Sequence, residues 1–403
     1  MIMPTLRRKL VVMIEVCIKQ YREQFFIGLA RSLDKNGVDL RVVYSDPSPV
    51  ESSKRDNVDL PPPLGHKVSR AYFLGGRLVW QRLPYMMLRR ADLVVMVQAN
   101  GYLSNYPLIL ARAMGWRKLG FLGHGYNHKG RQDALRERVK RWFAVRVDWW
   151  FAYTDRIAQH LVRAGMAPER ITVIQNAIDT RAFAEEVQQV SELKAASLRG
   201  TLGIGPEDPV ALYCGSLYSE KRLPFLLHTA DRIRSRLPAF HLVVIGGGPG
   251  SKWLVTATVT RRWIHYVGPR FGREKAGYFR ISDVVLNPGL VGLGILDCFA
   301  AGRPIVTCDL SFHSPEIAYL NHEGNGLMCP FDVSTYADIV CDVLTNPDRL
   351  RRLQSGAHAA AGQFTLENMI AQMAEGILRF LDCKGASGMI DEVKKPLQPT
   401  NNR

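Results

Sequence analysis

Cysteines, long apolar runs and, over one long stretch, acidic side chains are scarce in this chain. The seven cysteines of its 403 residues stand singly, with no Cys-x-x-Cys pair and no paired histidine spacing. That pattern excludes a disulfide framework and a zinc site, and it reads as small core residues in a reducing compartment. No segment approaches the ~20 uninterrupted apolar residues that a membrane helix needs. The opening run MIMPTLRRKLVVMIEVCIKQ carries Glu15 among its apolar residues and lacks a small-residue cleavage site, so no export signal is expected. Between Lys67 and Arg146 only 3 acidic residues face 16 basic ones. That stretch contains no helix-turn-helix, zinc-finger or RNP-like pattern, so nucleic acid is not an expected partner.

What remains is ample for a core. The length suits two domains, and 47% apolar with 22% charged residues is ordinary for a globular protein. In the N-terminal half, apolar runs at Leu10–Ile18, Leu40–Ser45, Ala91–Gln98 and Leu119–Gly123 alternate with helical patterns such as Gln20–Lys35, which predicts βαβ units and a parallel sheet. Periodicity lapses over Asn176–Pro209, where a polar helix and a Gly/Pro turn mark a boundary. Further strands are expected at Val210–Tyr213, Leu242–Ile245, Trp263–Val267, Val284–Leu286 and Pro304–Cys308. From Lys384 the chain is polar and reads as a loose tail.

The densest chemistry lies between Val284 and Pro330. A buried strand at Val284–Leu286 leads through Gly289, Gly292 and Gly294 into a helix over Leu293–Ala301, stopped by Gly302 and Pro304. Amides at such a helix start point into the turn, where the helix dipole favours an anion. Asp297 follows in the first turns, within reach of a sugar hydroxyl. Alone, glycines between strand and helix more often satisfy local geometry than bind phosphate. Three other segments accompany them in order: Val173-Ile174-Gln175-Asn176-Ala177-Ile178-Asp179, Leu212-Tyr213-Cys214-Gly215-Ser216-Leu217-Tyr218-Ser219-Glu220-Lys221-Arg222, and Leu242-Val243-Val244-Ile245-Gly246-Gly247-Gly248-Pro249.

Together with Asp297-Cys298-Phe299-Ala300-Ala301-Gly302-Arg303-Pro304-Ile305-Val306, these segments resemble the retaining glycosyltransferases of family 4 over roughly Val173 to Met369. The resemblance implies the α/β GT-B fold, with two Rossmann-like domains whose parallel sheets face each other across a cleft. An acceptor-side domain is expected over residues 1–180 and a nucleotide-sugar domain over 181–365, with a helix at about 366–382 crossing back and residues 384–403 as the tail. It implies transfer from a nucleotide sugar without a metal or other cofactor. Lys221, with Arg222 as a second charge, would neutralise the departing diphosphate. Gly215 and Ser216 would let the backbone approach it, the amides of Val291, Gly292 and Leu293 would cradle it, and Asp297 would hold the ribose. Glu316 aligns with a frequent family glutamate, and its other reading is a helix N-terminal charge after Ser314-Pro315. His124, in the loop Gly123-His124-Gly125-Tyr126-Asn127-His128-Lys129-Gly130, is the site residue expected in the first domain, with a loop-structural role as the other reading.

Two departures from the family pattern stand out. The first acid of the family's pair falls on Gly289, and Asp297 stands where glutamate is usual. Ser216 occupies the place of the family's arginine, while Arg222 stands where glycine is common. These departures keep open a nucleotide-sugar epimerase or hydrolase on the same fold, or a non-catalytic nucleotide-binding subunit of a polysaccharide assembly complex.

The net charge of +16 is concentrated in residues 1–200, which hold 32 basic against 18 acidic residues. In Arg70–Arg90 and Leu135–Phe151, Arg and Lys alternate with Trp, Phe, Tyr and Leu, the pattern of segments lying at anionic headgroups. The other reading is that these are ordinary helices with solvated basic faces and aromatic rings turned into the core. The first reading places the protein in the cytoplasm, peripheral on the membrane, acting on a lipid-linked or cell-envelope saccharide.

Overall fold

The computed structural model describes residues 7–47, 57–75, 78–99, 101–116, 118–125 and 142–390, with side chains to Asp382. The chain forms two compact units, one from the described residues 7–174 and 369–390 and the other from 175–368.

The first unit is built on strands β1 (Lys9–Ile14), β2 (Val38–Tyr44), β3 (Gly65–Lys67), β6 (Leu93–Val97), β7 (Leu119–Gly123), β8 (Trp149–Ala152) and β9 (Ile171–Val173). They form one parallel sheet in the order β3-β2-β1-β6-β7-β8-β9. Covered on both faces, its strands read as continuous apolar runs rather than alternating ones: Val11, Val12 and Met13 are all buried, as are Val94, Val95 and Met96. The helix Gln20–Asp34 turns Phe25, Phe26, Leu29 and Leu33 inward at helical spacing. The long helix Leu366–Ile390 packs on this unit from Met369, with Ile370 against Gly28 and Phe380 edge-on to Trp149. It runs past Lys384, where a loose tail was expected; residues 391–403 lie outside the described residues.

The two basic-aromatic segments turn out differently from each other. Arg70–Arg90 forms an antiparallel hairpin, β4 (Arg70–Phe73) with β5 (Leu78–Gln81), and then a six-residue helix, Tyr85–Arg90. Tyr72, Phe73 and Leu74 are exposed on it, and the Arg70 guanidinium lies 4.7 Å from the Tyr72 ring centre. Of Leu135–Phe151, residues 135–141 lie outside the described residues. Trp149, Trp150 and Phe151 are the buried strand β8, which corrects the headgroup reading of that end: sheet pairing on both sides places these rings in the core.

The second unit carries β10 (Val210–Cys214), β11 (His241–Ile245), β12 (Ile264–Gly268), β13 (Val284–Leu286), β14 (Ile305–Cys308) and β15 (Gly326–Cys329). All are parallel, in the order β12-β11-β10-β13-β14-β15. The chain leaves β10 toward β11 on one side and later returns to its other side at β13. The strand order therefore reverses between β10 and β13, and ligands of open α/β sheets bind at the carboxyl ends of the strands at such a point. In the first unit the same reversal falls between β1 and β6.

Candidate functional site

In the second unit, the glycine-rich turn and the basic pair of the sequence meet at the β10/β13 reversal. After Cys214 the chain is fastened to the loop behind β11: the Gly215 amide donates to the Ile245 carbonyl and the Leu217 amide to that of Gly247. Gly246, at φ 147°, lies so close to the Gly215 carbonyl that a side-chain carbon there would stand 1.9 Å from it. Ser216 is exposed, and its carbonyl accepts from the Tyr213 hydroxyl at 3.0 Å. A single turn, Ser219–Lys221, then carries the chain into the helix Leu223–Arg236.

Lys221 is 8% exposed, and its Nζ donates to the Leu290 carbonyl at 2.5 Å. The Leu290 amide returns a bond to the Glu220 carbonyl at 2.9 Å. These two bonds hold the loop after β13 against the turn after β10. Gly289 is the contact point: a Cβ there would lie 2.4 Å from the Glu220 oxygen and 2.5 Å from the Lys221 Cα. The acid missing from this position is thus not merely absent, because backbone occupies its place.

Val291 was expected to offer its amide to a diphosphate. It instead donates to Nδ1 of the buried His313 at 3.0 Å, while His313 Nε2 donates to the Cys308 carbonyl at 2.7 Å. This pair fixes the neutral tautomer with hydrogen on Nε2. Burial lowers the His313 pKa, more than its bond to Cys308 and nearby Asp309 raise it. The expected cradle therefore contracts to Gly292 and Leu293, the residues leading into the short helix Gly294–Ala300.

Asp297 sits on that helix and pairs with Lys275 at 2.9 Å, each side chain 18% exposed. Lys275 belongs to the helix Gly272–Arg280, and its Nζ lies 4.1 Å from the centre of the Phe183 ring. Burial works to lower the Lys275 pKa, but Asp297 and Cys214 outweigh it, so the net direction is upward and the amine stays charged. The thiol of Cys214, pushed up to about 12 by burial, feels the charges of Lys275, Asp297 and Lys221 together, which places all three around the end of β10.

The remaining expected residues stand apart from this cluster. Arg222 has φ 57° and ψ 40°, the left-handed conformation that explains why glycine suits the position. Its guanidinium lies 5.4 and 5.7 Å from the Phe312 and Phe331 ring centres. Glu316 is 3% exposed and accepts from Asn176 Nδ2 at 2.5 Å, while the Asn176 carbonyl accepts from Tyr319. It follows Pro315 in the first turn of the short helix Pro315–Tyr319.

In the first unit, His124 is exposed at the end of β7, with its ring edge-on to Tyr153 at 5.0 Å. His128 and the rest of its loop from Tyr126 lie outside the described residues. Sequence reasoning missed Lys275 and His313. The first left a faint signal, a lysine directly before the small buried pair Ala276 and Gly277; the second lay unremarked two residues before Pro315. No group of three His, Cys, Asp or Glu side chains is placed to hold a metal among the described residues.

Comparison with known proteins agrees with this architecture. Residues 208–346 match the family described as glycosyl transferases group 1, and residues 23–182 match glycosyltransferase family 4. A D-inositol 3-phosphate glycosyltransferase of Xylanimonas cellulosilytica is 26% identical over 237 residues, 56% of this chain and 55% of that protein. The chain thus spans about half the length of the curated relatives it matches first. A glycosyltransferase structure from Rickettsia africae superposes with a TM-score of 0.67 at 14% identity, over 93% of this chain and 99% of that one. HepE of Anabaena, solved in complex with UDP, gives 0.64 at 15% identity, over 92% and 99%. Two parallel-sheet units, their shared fold with solved GT-B proteins and the two matched family regions lead to one conclusion: residues 23–182 belong to glycosyltransferase family 4 and residues 208–346 to the glycosyl transferases group 1.

Proposed function

We propose that the protein transfers a sugar from a nucleotide sugar to a hydroxyl of a lipid-linked or cell-envelope saccharide, with retention at the anomeric carbon. The observation that carries this reading is the convergence of Lys221, Lys275 and Asp297 at the β10/β13 reversal. A departing nucleoside diphosphate develops negative charge, and preorganised cations in a shielded site stabilise it more than water can. Lys221 would exchange its bond to the Leu290 carbonyl for a phosphate oxygen. Asp297, steadied by Lys275, would keep a carboxylate oxygen for the ribose hydroxyls. With two lysines supplying the charge, the transfer is proposed to need no metal. HepE is bound to UDP in its solved structure, which makes a uridine nucleotide the first donor to try.

The excess of basic residues before Gly200, with Tyr72, Phe73 and Leu74 exposed beside Arg70, supports a cytoplasmic, peripheral place on an anionic membrane. Co-sedimentation with phosphatidylglycerol vesicles, lost in high salt and absent with phosphatidylcholine, checks this. The donor reading is tested by calorimetric titration of UDP-, GDP-, ADP- and TDP-linked sugars in EDTA. One nucleotide should bind the wild type tightly and Asp297→Ala weakly, and binding by neither protein would overturn the reading. A second reading, nucleotide binding without transfer, is favoured only by the closed backbone contact at Gly289. A tight donor complex that never turns over with any saccharide acceptor would establish it.

A further inference from the structure

Side chains along β2 alternate between the two faces of the sheet, so Asp39 and Arg41 share the face of Val43. On the paired strand β1 that face holds Leu10, Val12 and Ile14, with Leu10 opposite Asp39 and Val12 opposite Arg41. Val12, Ile14 and Val43 belong to a core that Leu88 of the helix Tyr85–Arg90 joins. That helix has only six residues, and Asp39 and Arg41, early in β2, are left half-buried. A cavity of about 670 Å³ opens beside them, at the amino ends of the strands and away from the carboxyl ends where His124 stands.

Four arginines line this cavity: Arg7 and Arg8 just before β1, Arg41 on β2 and Arg90 at the end of the short helix. Its one acid, Asp39, accepts from Arg8 Nε at 2.8 Å, and Arg8 Nη2 also reaches Asp34 at 2.5 Å. Asp92, the next acid at this edge, accepts from the Leu10 amide at 2.8 Å. Arg7 donates to the Arg90 carbonyl at 2.7 Å and Arg41 to the Leu40 carbonyl at 2.9 Å. Among the described residues, Arg7, Arg41 and Arg90 form no ion pair. Three guanidiniums thus line one hollow while the acids beside them are already committed.

A basic surface kept only for solubility is spread out and interleaved with acids. Like charges gathered in a hollow repel, and a wall of one sign focuses the field that draws an anion in. Beside the arginines Met86 is 66% exposed, and Met87 lines the same wall. Thioether side chains make an adaptable apolar rim.

From this arrangement we infer that the cavity is a second ligand site, for a phosphomonoester whose carbon chain lies against the methionines. A phosphate presents three terminal oxygens, and guanidinium forks meet such oxygens with paired, charge-assisted bonds. Arg7, Arg41 and Arg90 supply the donors, while Arg8 stays with its two aspartates and ties the start of β1 to β2 and to the helix Gln20–Asp34. A free ester and a phosphatidic acid headgroup carry the same phosphate group. The site requires neither donor nor transfer, so it stands apart from the transferase reading.

Titration calorimetry of the full chain with glycerol 3-phosphate, with glycerol as the neutral control, reads the site. The ester should bind the wild type and Lys221→Ala alike, and glycerol should bind neither. Arg41→Gln combined with Arg90→Gln should weaken the ester at least tenfold, the loss of two charge-assisted bonds, with circular dichroism melting showing that the variant is folded. Arg90→Gln alone, at an exposed position, should weaken it severalfold. Flotation with phosphatidylcholine vesicles carrying phosphatidic acid separates the sources. Capture lost in the double variant assigns the phosphate to a headgroup, and soluble binding without capture assigns it to a free ester. The inference is overturned if neither the ester nor the vesicles bind the wild type, if the folded double variant binds both as well as the wild type does, or if Lys221→Ala alone removes binding. Failure of the nucleotide-sugar titrations with these results intact would sink the donor reading and leave this site standing.

Discussion

The two units place a carboxylate near the reversal of their sheets and treat it in opposite ways. In the second, Asp297 has Lys275 at 2.9 Å, and Cys214, Lys221 and a ring of Phe183 complete the surroundings. In the first, the Glu15 carboxylate makes no hydrogen bond or ion pair among the described residues, and the charge of Arg22, which lies 5.7 Å from the Tyr153 ring centre, only partly offsets its burial. A matched pair is a finished piece of electrostatics that adds rigidity, whereas an unmatched carboxylate is a cost the fold carries until something else meets it.

The sharpest way to break this contrast is at the position where the second unit has closed over a missing acid. Gly289→Glu should destabilise the protein by about 3 kcal/mol or more in urea unfolding, since the side chain must displace backbone on two sides, and it should restore no activity. A folded and more active variant would mean that the loop opens readily. Next in size, Lys221→Ala should lower turnover by about a hundredfold, the loss typical of one preorganised transition-state contact, with a much smaller change in melting temperature. Full activity in that variant would remove Lys221 from the site.

Glu15 also makes the stability of the protein depend on pH. The Glu15 pKa rises from 4.5 in the unfolded chain to about 7 in the fold, so the folded state holds its proton longer. Stability from this group is whole below pH 4.5 and falls as pH rises to about 7, then stays level. Glu15→Gln should consequently stabilise the protein by about 1–3 kcal/mol at pH 8 and by little at pH 4, measured by urea unfolding at both. For the matched pair the expected sign is opposite, since Asp297→Ala leaves a buried lysine alone. A double-mutant cycle with Lys275→Met should return a coupling of about 1–3 kcal/mol. The smallest effect is expected at Arg222→Gly, where relief of the left-handed backbone and loss of two ring contacts should leave stability within about 1 kcal/mol of the wild type.

Most of the fold was legible because its evidence is local. Val11–Ile14, Leu93–Val97 and Val284–Leu286 are apolar runs of strand length, and a doubly covered parallel sheet demands such runs. The hairpin at Arg70–Gln81 was not legible, since basic and aromatic residues in alternation serve equally for a headgroup-facing segment and for a short antiparallel pair. Trp149–Phe151 misled in the same way, because a tryptophan next to arginine-rich sequence carries no mark of which side the sheet will take it.

Within the site, Lys221 and Asp297 were readable from motif order, but what they touch was not. The Lys275 partner lies 22 positions before Asp297 on another helix. The diversion of the Val291 amide to His313 depends on a loop after a different strand. Glu15 was visible only as a break in an apolar run, and its burial depends on three other strands arriving beside it. Proximity across a sheet edge has no linear signature.

The backbone contact at Gly289 has a bearing on how this protein can change. A library randomised at that codon and screened for soluble protein should return glycine almost alone, because every other residue brings a Cβ to where Glu220 and Lys221 already are. The position is closed to selection in both directions, toward the lost acid and away from it. Any drift in sugar preference along this lineage has to be recorded at residues other than 289.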